Sequence, residues 1–291
     1  MPIYEQTYRE YTGTYRTHFR WAIIIQQELR VLIKSKFFLL MAIASLLHFL
    51  LRLMQITIFD VIAQDPNSPF AAVFAGVQDL EVNATMFFDY LRRQSTVVFI
   101  VTLFAGSGMI GNDIKNNLME IYFSKPITWR DYALGKILAL ALIAAVHSMF
   151  PALILVLLHN LMLPSVQTLK ESGPWLYAIV GYSLAFIFPC ILTILAASAI
   201  IKSKNFAAVT IFMLLIANSV MGVTLGETLR SVNYYAISFP LSVNHIGEHL
   251  FQNRTIQLQL SPWWCAGYVL AVCTISMLII LRRIKRAEVA Q

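Results

Sequence analysis

Three sets of residues in this 291-residue sequence have types and spacings that can do chemistry. The first is His245-Ile-Gly-Glu248-His249, an inverted zinc-hydrolase pattern in which two histidines four apart can share a helical face beside a carboxylate. A catalytic zinc needs a third protein ligand and an open position, and the nearest further candidate is Glu227. His245, Glu248 and His249 are therefore weak metal ligands, and a polar interfacial loop is the competing reading. The second set, Gly106-Ser-Gly108-Met-Ile-Gly111, matches the glycine-rich dinucleotide pattern. That pattern works only between a strand and a helix, with an acidic residue some way downstream. These glycines close an apolar run, where small residues serve close helix packing. The third set consists of polar side chains inside apolar stretches: His48, Arg52, His147, His159 and Asn218. His48, His147 and Asn218 are candidates to line a translocation path, against the alternative of hydrogen bonds to a neighbouring helix. Arg52 lies far enough along its run to snorkel outward.

These residues sit in a chain that is 58% hydrophobic and 13% charged, with a mean hydropathy of +0.67. A soluble domain carries roughly 25% charged residues, so the composition excludes soluble-enzyme and disordered classes and marks an integral membrane protein. The net charge of +7 fits retention of basic residues at one membrane face. It is not a nucleic-acid signal, because no basic stripe is interleaved with stacking aromatics. Cys190, Cys265 and Cys273 all lie in apolar runs and read as small buried hydrophobes. The polar first 36 residues and the length of the first apolar run argue against a cleavable signal peptide.

A spanning helix needs about 20 apolar residues. Six stretches qualify: 37–59, 95–111, 137–163, 175–201, 206–225 and 263–281. Pro151 and Pro189 are expected to kink the third and fourth. Sixteen Lys and Arg residues fall in the termini and the 112–136 and 202–205 connections, against five in the other loops. That asymmetry puts both termini in the cytoplasm. No Asp or Glu lies inside the six runs, which argues against a proton- or sodium-coupled carrier. Residues 1–36 read as a cytoplasmic tail bearing an interfacial amphipathic helix. On it Arg16, Arg20, Gln27, Arg30 and Lys34 share one face, and Trp21, Ile25, Leu29 and Leu32 the opposite one. Arg16, Arg20, Trp21 and Arg30 are its expected membrane-interface residues. Residues 37–291 read as one membrane domain, with Ser238-Phe239-Pro240-Leu241 as a short re-entrant or interfacial piece in the second outer loop.

The connection from Phe104 to Lys136 is the most informative segment. A span ends at Gly111, and a short helix is expected over 113–124, capped by Asn112 or Asp113 and stopped before Pro126. Thr128-x-x-Asp131 then forms a capping-box pattern opening the third span. The short helix reads as a rigid bracket. The run Gly-x-x-Ile-Gly-Asn-Asp, then Leu-Met-Glu-Ile-Tyr-Phe-Ser-Lys-Pro-Ile-Thr-Trp-Arg-Asp-Tyr and Gly-Lys, resembles the membrane subunit of ABC-2-type ABC transporters.

That resemblance implies an all-α membrane protein of six transmembrane helices, with an N-terminal elbow helix and a cytoplasmic coupling helix between helices two and three. It implies a permease, exporter-like, in the cytoplasmic (inner) membrane, paired with a second copy or a related subunit and contacting membrane lipid. It further implies separate cytoplasmic ATPase subunits touching Asp113, Asn116, Asn117, Leu118, Glu120, Ile121 and Tyr122. No Gly-x-x-x-x-Gly-Lys-[Ser/Thr] occurs, so the chain is not expected to be an enzyme or to bind a cofactor, and ATP with Mg belongs to the partner. The alternatives are a gradient-driven carrier or channel and, further off, a membrane zinc hydrolase.

Overall fold

The computed structural model describes residues 19–63, 81–125, 127–163, 165–252 and 260–289, and the described residues contain helices and no strand. In chain order the helices are α1 (Trp21–Ile33), α2 (Lys36–Thr57), α3 (Ala84–Gly106), α4 (Gly111–Lys115), α5 (Leu118–Phe123), α6 (Trp129–His147), α7 (Met149–Met162), α8 (Val166–Ile200), α9 (Lys204–Thr228), α10 (Phe239–Leu250) and α11 (Pro262–Val289). A π-helical turn, Ile58–Ala63, continues α2, and a 3₁₀ turn, Val232–Ile237, precedes α10. Among the described residues six segments are long and apolar enough to cross a membrane: Lys36–Asp60, Ala84–Lys115, Trp129–Met162, Val166–Ile200, Lys204–Thr228 and Pro262–Arg286. This is the number of spans the hydropathy pattern gives, and the chain is a multi-pass helical membrane protein.

The bundle is organised around α8, a 35-residue helix that packs against α3, α7, α10 and α11. At 1.5 Å per residue it is about 52 Å long, well beyond the hydrocarbon thickness. By contrast α2 and α9 leave apolar faces uncovered, with Leu39, Ile43, Leu47 and Met54 on one and Phe206, Val209, Met213 and Val220 on the other exposed. One end of the bundle holds α1, α4, α5 and the Arg282–Arg286 stretch. The opposite end holds the π-helical turn, the start of α3 and α10.

Three spans begin well before the hydropathy reading, and side-chain chemistry explains each; the third opens at Trp129 and not at 137, behind the Thr128–Asp131 capping box. The second begins at Ala84, eleven residues before the expected 95, because helix formation does not depend on hydropathy. Asn83 caps it by accepting from the Met86 amide at 3.0 Å, and Arg92 pairs with Asp89 one turn back at 3.1 Å. The fourth begins at Val166 and not at 175, with the Ser165 hydroxyl accepting from the Thr168 amide at 3.0 Å.

The third span is two helices, interrupted at Ser148. Proline at 151 has no N–H to offer the carbonyl four residues back, that of His147. Gln94 takes up that carbonyl. Its Nε2 donates to His147 O at 2.7 Å and to Ser45 Oγ at 2.6 Å, and its Oε1 accepts from His48 Nδ1 at 2.8 Å. Every hydrogen-bonding position of this fully buried amide except one acceptor lone pair is thus filled, across α2, α3 and α6.

At the opposite end the expected re-entrant piece is the start of α10. Asn218 of α9 holds it: Nδ2 donates to Ile237 O at 2.8 Å and Tyr268 OH at 2.7 Å, and Oδ1 accepts from the Phe239 amide at 2.7 Å. Replacing Gln94 with Leu leaves the His147 carbonyl and the His48 ring without their partner in an apolar interior. We expect a loss of about 2 kcal/mol of stability, read by unfolding of the detergent-solubilised protein.

Candidate functional site

The segment joining α3 to α6 is built by close approach. A Cβ at Gly111 would lie 2.6 Å from Ile201 O and 2.7 Å from Ser198 O, so only glycine lets the chain pass the end of α8. There the Ser198 hydroxyl accepts from the amides of Ile110 and Gly111, both at 3.1 Å. This corrects the expectation that Asn112 or Asp113 caps the helix. The acceptor comes from a different helix, 87 residues along the chain.

The expected single helix over 113–124 is also corrected. α4 stops at Lys115, Asn116 leaves the helical region, and Asn117 is left-handed at φ 53°. Asparagine is one of the few residues that tolerates this conformation, so the Asn-Asn pair ends α4 and re-aims the chain into α5, whose Tyr122 packs edge-to-face on Tyr132 of α6. α5 then runs to Phe123. The capping box is present as the spacing predicts. The Thr128 hydroxyl accepts from the Asp131 amide at 3.3 Å, and Asp131 accepts from the Thr128 amide at 3.1 Å.

What fixes this segment to the bundle is a buried ammonium. Lys136, one turn into the enclosed part of α6 and 1% exposed, reaches Glu28 of α1 at 2.5 Å, Asp113 of α4 at 2.6 Å and the Met109 carbonyl at 3.1 Å. Three N–H donors meet three acceptors, so the ammonium is fully satisfied. Tyr132 donates to Asp113 at 2.7 Å, and the rings of Tyr122 and Tyr132 pack edge-to-face beside the Lys136 ammonium. Burial pushes the Tyr122 phenol above its ordinary range, partly opposed by Lys136, so it stays neutral at physiological pH. Glu28 reaches this cluster because α1 lies tight against α6. A Cβ at Gly135 would come within 2.7 Å of Ile24.

Asp113, grouped by sequence with the surface-contact residues, therefore points inward and is consumed by Lys136 and Tyr132. Asn116, Asn117, Glu120 and Ile121 are exposed, Ile121 by 56%, while Leu118 and Tyr122 are half-buried. Sequence reasoning missed Glu28, Tyr132 and the role of Lys136. The available signal was a charged residue beside a glycine at the start of an apolar helix.

The remaining sequence candidates disperse. On α1, Arg30 is exposed and Trp21 and Arg20 are half-buried, while Ile24, Glu28 and Leu32 face α6; Arg16 lies outside the described residues. His48 and His147 meet through Gln94, and His147 also bonds the Ile143 carbonyl at 2.8 Å. Asn218 sits elsewhere, where it borders a cavity of about 240 Å³ with Cys190, Thr193 and Tyr268. His245 is buried and bonds the Leu260 carbonyl at 2.6 Å, with Glu248 3.5 Å from its other nitrogen, whereas His249 is exposed. No group of three or more His, Cys, Asp and Glu placed to hold a metal ion occurs among the described residues. Arg52 pairs with Gln55 at 2.6 Å.

One carboxylate escapes the hydropathy argument. The first apolar run stops one residue short of Asp60, but the helical backbone continues through it, and Asp60 is buried against His159 at 2.5 Å. No protein-family model matches the chain, and no curated protein matches it.

Lys136→Met leaves two carboxylates facing one another in a dry site. We expect a destabilisation of about 3–5 kcal/mol, largely relieved when Glu28→Gln and Asp113→Asn are added, measured by thermal or denaturant unfolding in detergent. Gly111→Ala is expected to shift the α4–α5 segment away from α8, read as faster amide exchange over 107–117.

Proposed function

We propose that this chain is the permease subunit of an ATP-driven ABC-2-type transporter, an exporter, with the basic end of its bundle in the cytoplasm. Separate ATPase subunits carrying ATP and Mg drive it, and a second copy or a related subunit pairs with it, using the apolar faces of α2 and α9 that the chain itself leaves open. The observation that carries this reading is the Lys136 cluster. An exposed strip of Asn116, Asn117, Glu120 and Ile121 is held by an ion-pair cluster that also grips α1 and α6. A force on the strip is therefore delivered to the third span and the N-terminal helix together, not absorbed by a loose loop. Coupling in this sense requires the strip to make different contacts in the two states of the ATPase pair.

The test uses exposed residues, whose replacement leaves the cluster intact. Glu120→Arg and Ile121→Asp are expected to reduce ATPase co-purification and transport-coupled hydrolysis at least tenfold without changing unfolding behaviour. Unchanged co-purification and hydrolysis in both variants overturn the assignment.

A second reading, a gradient-driven carrier, is favoured by one observation, the buried Asp60–His159 pair. Its signature is transport by the purified chain alone in vesicles under an ion gradient without ATP.

A further inference from the structure

Two adjoining cavities occupy the side of the bundle where α3, α8, α9 and α10 meet. The larger, of about 550 Å³, lies among these four helices, and the smaller, of about 240 Å³, reaches in against α8 and α11. Phe99, Leu215 and Phe239 border both, so the two join across those three side chains.

The larger cavity has one polar end. Along α3 its lining runs from Arg92, Ser95 and Thr96 to Ile100 and Leu103, so polar side chains give way to apolar ones over roughly 16 Å of helix. The Arg92 side chain is 50% exposed, which makes this end the mouth. Among the described residues that line either cavity, Arg92 is the only charged one. It donates one of its five N–H groups to Asp89 at 3.1 Å, and the others have no hydrogen-bond partner among the described residues. Asn244 of α10 accepts from the Tyr182 hydroxyl at 3.4 Å and keeps its amide hydrogens unspent in the same sense. The polar side chains of the smaller cavity serve the bundle instead. Asn218 donates to Tyr268 at 2.7 Å, and Thr193 donates to the Pro189 carbonyl at 2.7 Å.

Unspent N–H donors and one cation at the mouth, with hydrocarbon walls behind them, match a molecule built in the same order. We infer that the paired cavities bind a single-chain amphiphile carrying one carboxylate. Its carboxylate meets Arg92, whose planar fork suits two oxygens, and Asn244, and its chain passes Phe99 and Phe239 into the smaller cavity. The site lies within one chain and is independent of the bracket.

The test places the full chain in phosphatidylcholine nanodiscs without any ATPase and measures binding of radiolabelled dodecanoate against empty nanodiscs. Saturable binding is expected, displaced by unlabelled dodecanoate. Dodecanol, which lacks the charge, and dodecylammonium, which reverses it, should displace roughly tenfold less well. Arg92→Gln, a change at a half-exposed side chain, is expected to raise the Kd about tenfold, with Arg92→Lys in between. Leu215→Trp, which narrows the junction of the cavities, should weaken dodecanoate about tenfold and leave displacement by hexanoate unchanged. Should that variant fold poorly, Phe99→Trp narrows the same junction from the opposite helix. Absence of saturable binding above empty nanodiscs overturns the site. So does equal displacement by dodecylammonium, a Kd indifferent to Arg92→Gln, or dodecanoate binding unchanged in both narrowed variants. No outcome involves a partner, so the coupling role of Asn116–Ile121 stands or falls separately.

Discussion

One ammonium group holds the basic end of this molecule together. Removing a lysine from water costs several kcal/mol, and nothing offsets that cost unless its donors and its charge are both matched. Lys136 achieves both by drawing Glu28, Asp113 and the Met109 carbonyl onto a single nitrogen. Each partner belongs to a different piece of backbone, so satisfying the charge and assembling α1, α4 and α6 are one event. A planar guanidinium would place its donors in a fixed fork, whereas the tetrahedral ammonium suits acceptors that approach from three sides.

The apolar parts of the bundle use neutral amides for the same purpose. Gln94 and Asn218 are built alike: two amide hydrogens are donated to two different elements, and the carbonyl oxygen accepts in turn, from His48 of α2 in Gln94 and from the Phe239 amide of α10 in Asn218. Gln94 absorbs the carbonyl freed by Pro151, and Asn218 absorbs the backbone groups at the junction of the 3₁₀ turn and α10. Breaks in backbone hydrogen bonding are tolerated in such surroundings where a side chain replaces the missing partner. These two amides therefore mark where the helices depart from regularity. The molecule divides along the same lines, with a charged latch at one end, amide hubs within, and the Asp60–His159 pair at the other end.

α8 is the scaffold against which all of this is measured. It packs on α3, α7, α10 and α11, and through Ser198 it caps α4. The bracket is thus referenced to the most enclosed helix of the bundle as well as to Lys136. The two contacts act at different points, one on the amides that open α4 and one on the Asp113 side chain, so α4 is held in position and in rotation. Helices α2 and α9 have no such role and leave apolar side chains exposed along their length.

The six spans, the capping box at Thr128–Asp131 and the presence of short helical structure ahead of the third span were legible in the sequence, because apolar run length and local cap spacing are properties of neighbouring residues. The start of the second span was not, since Asp89, Arg92 and Gln94 look like loop residues until Ser45, His48 and the His147 carbonyl are brought beside them. The break at Asn116–Asn117 and the inward turn of Asp113 were likewise invisible, and so was the burial of Asp60 against a histidine 99 residues away. Hydropathy ranks a residue by what it would do alone in lipid or water. Whether a charge is a surface contact, a latch or a binding group depends on which distant partner reaches it, and only the packing of the helices decides that.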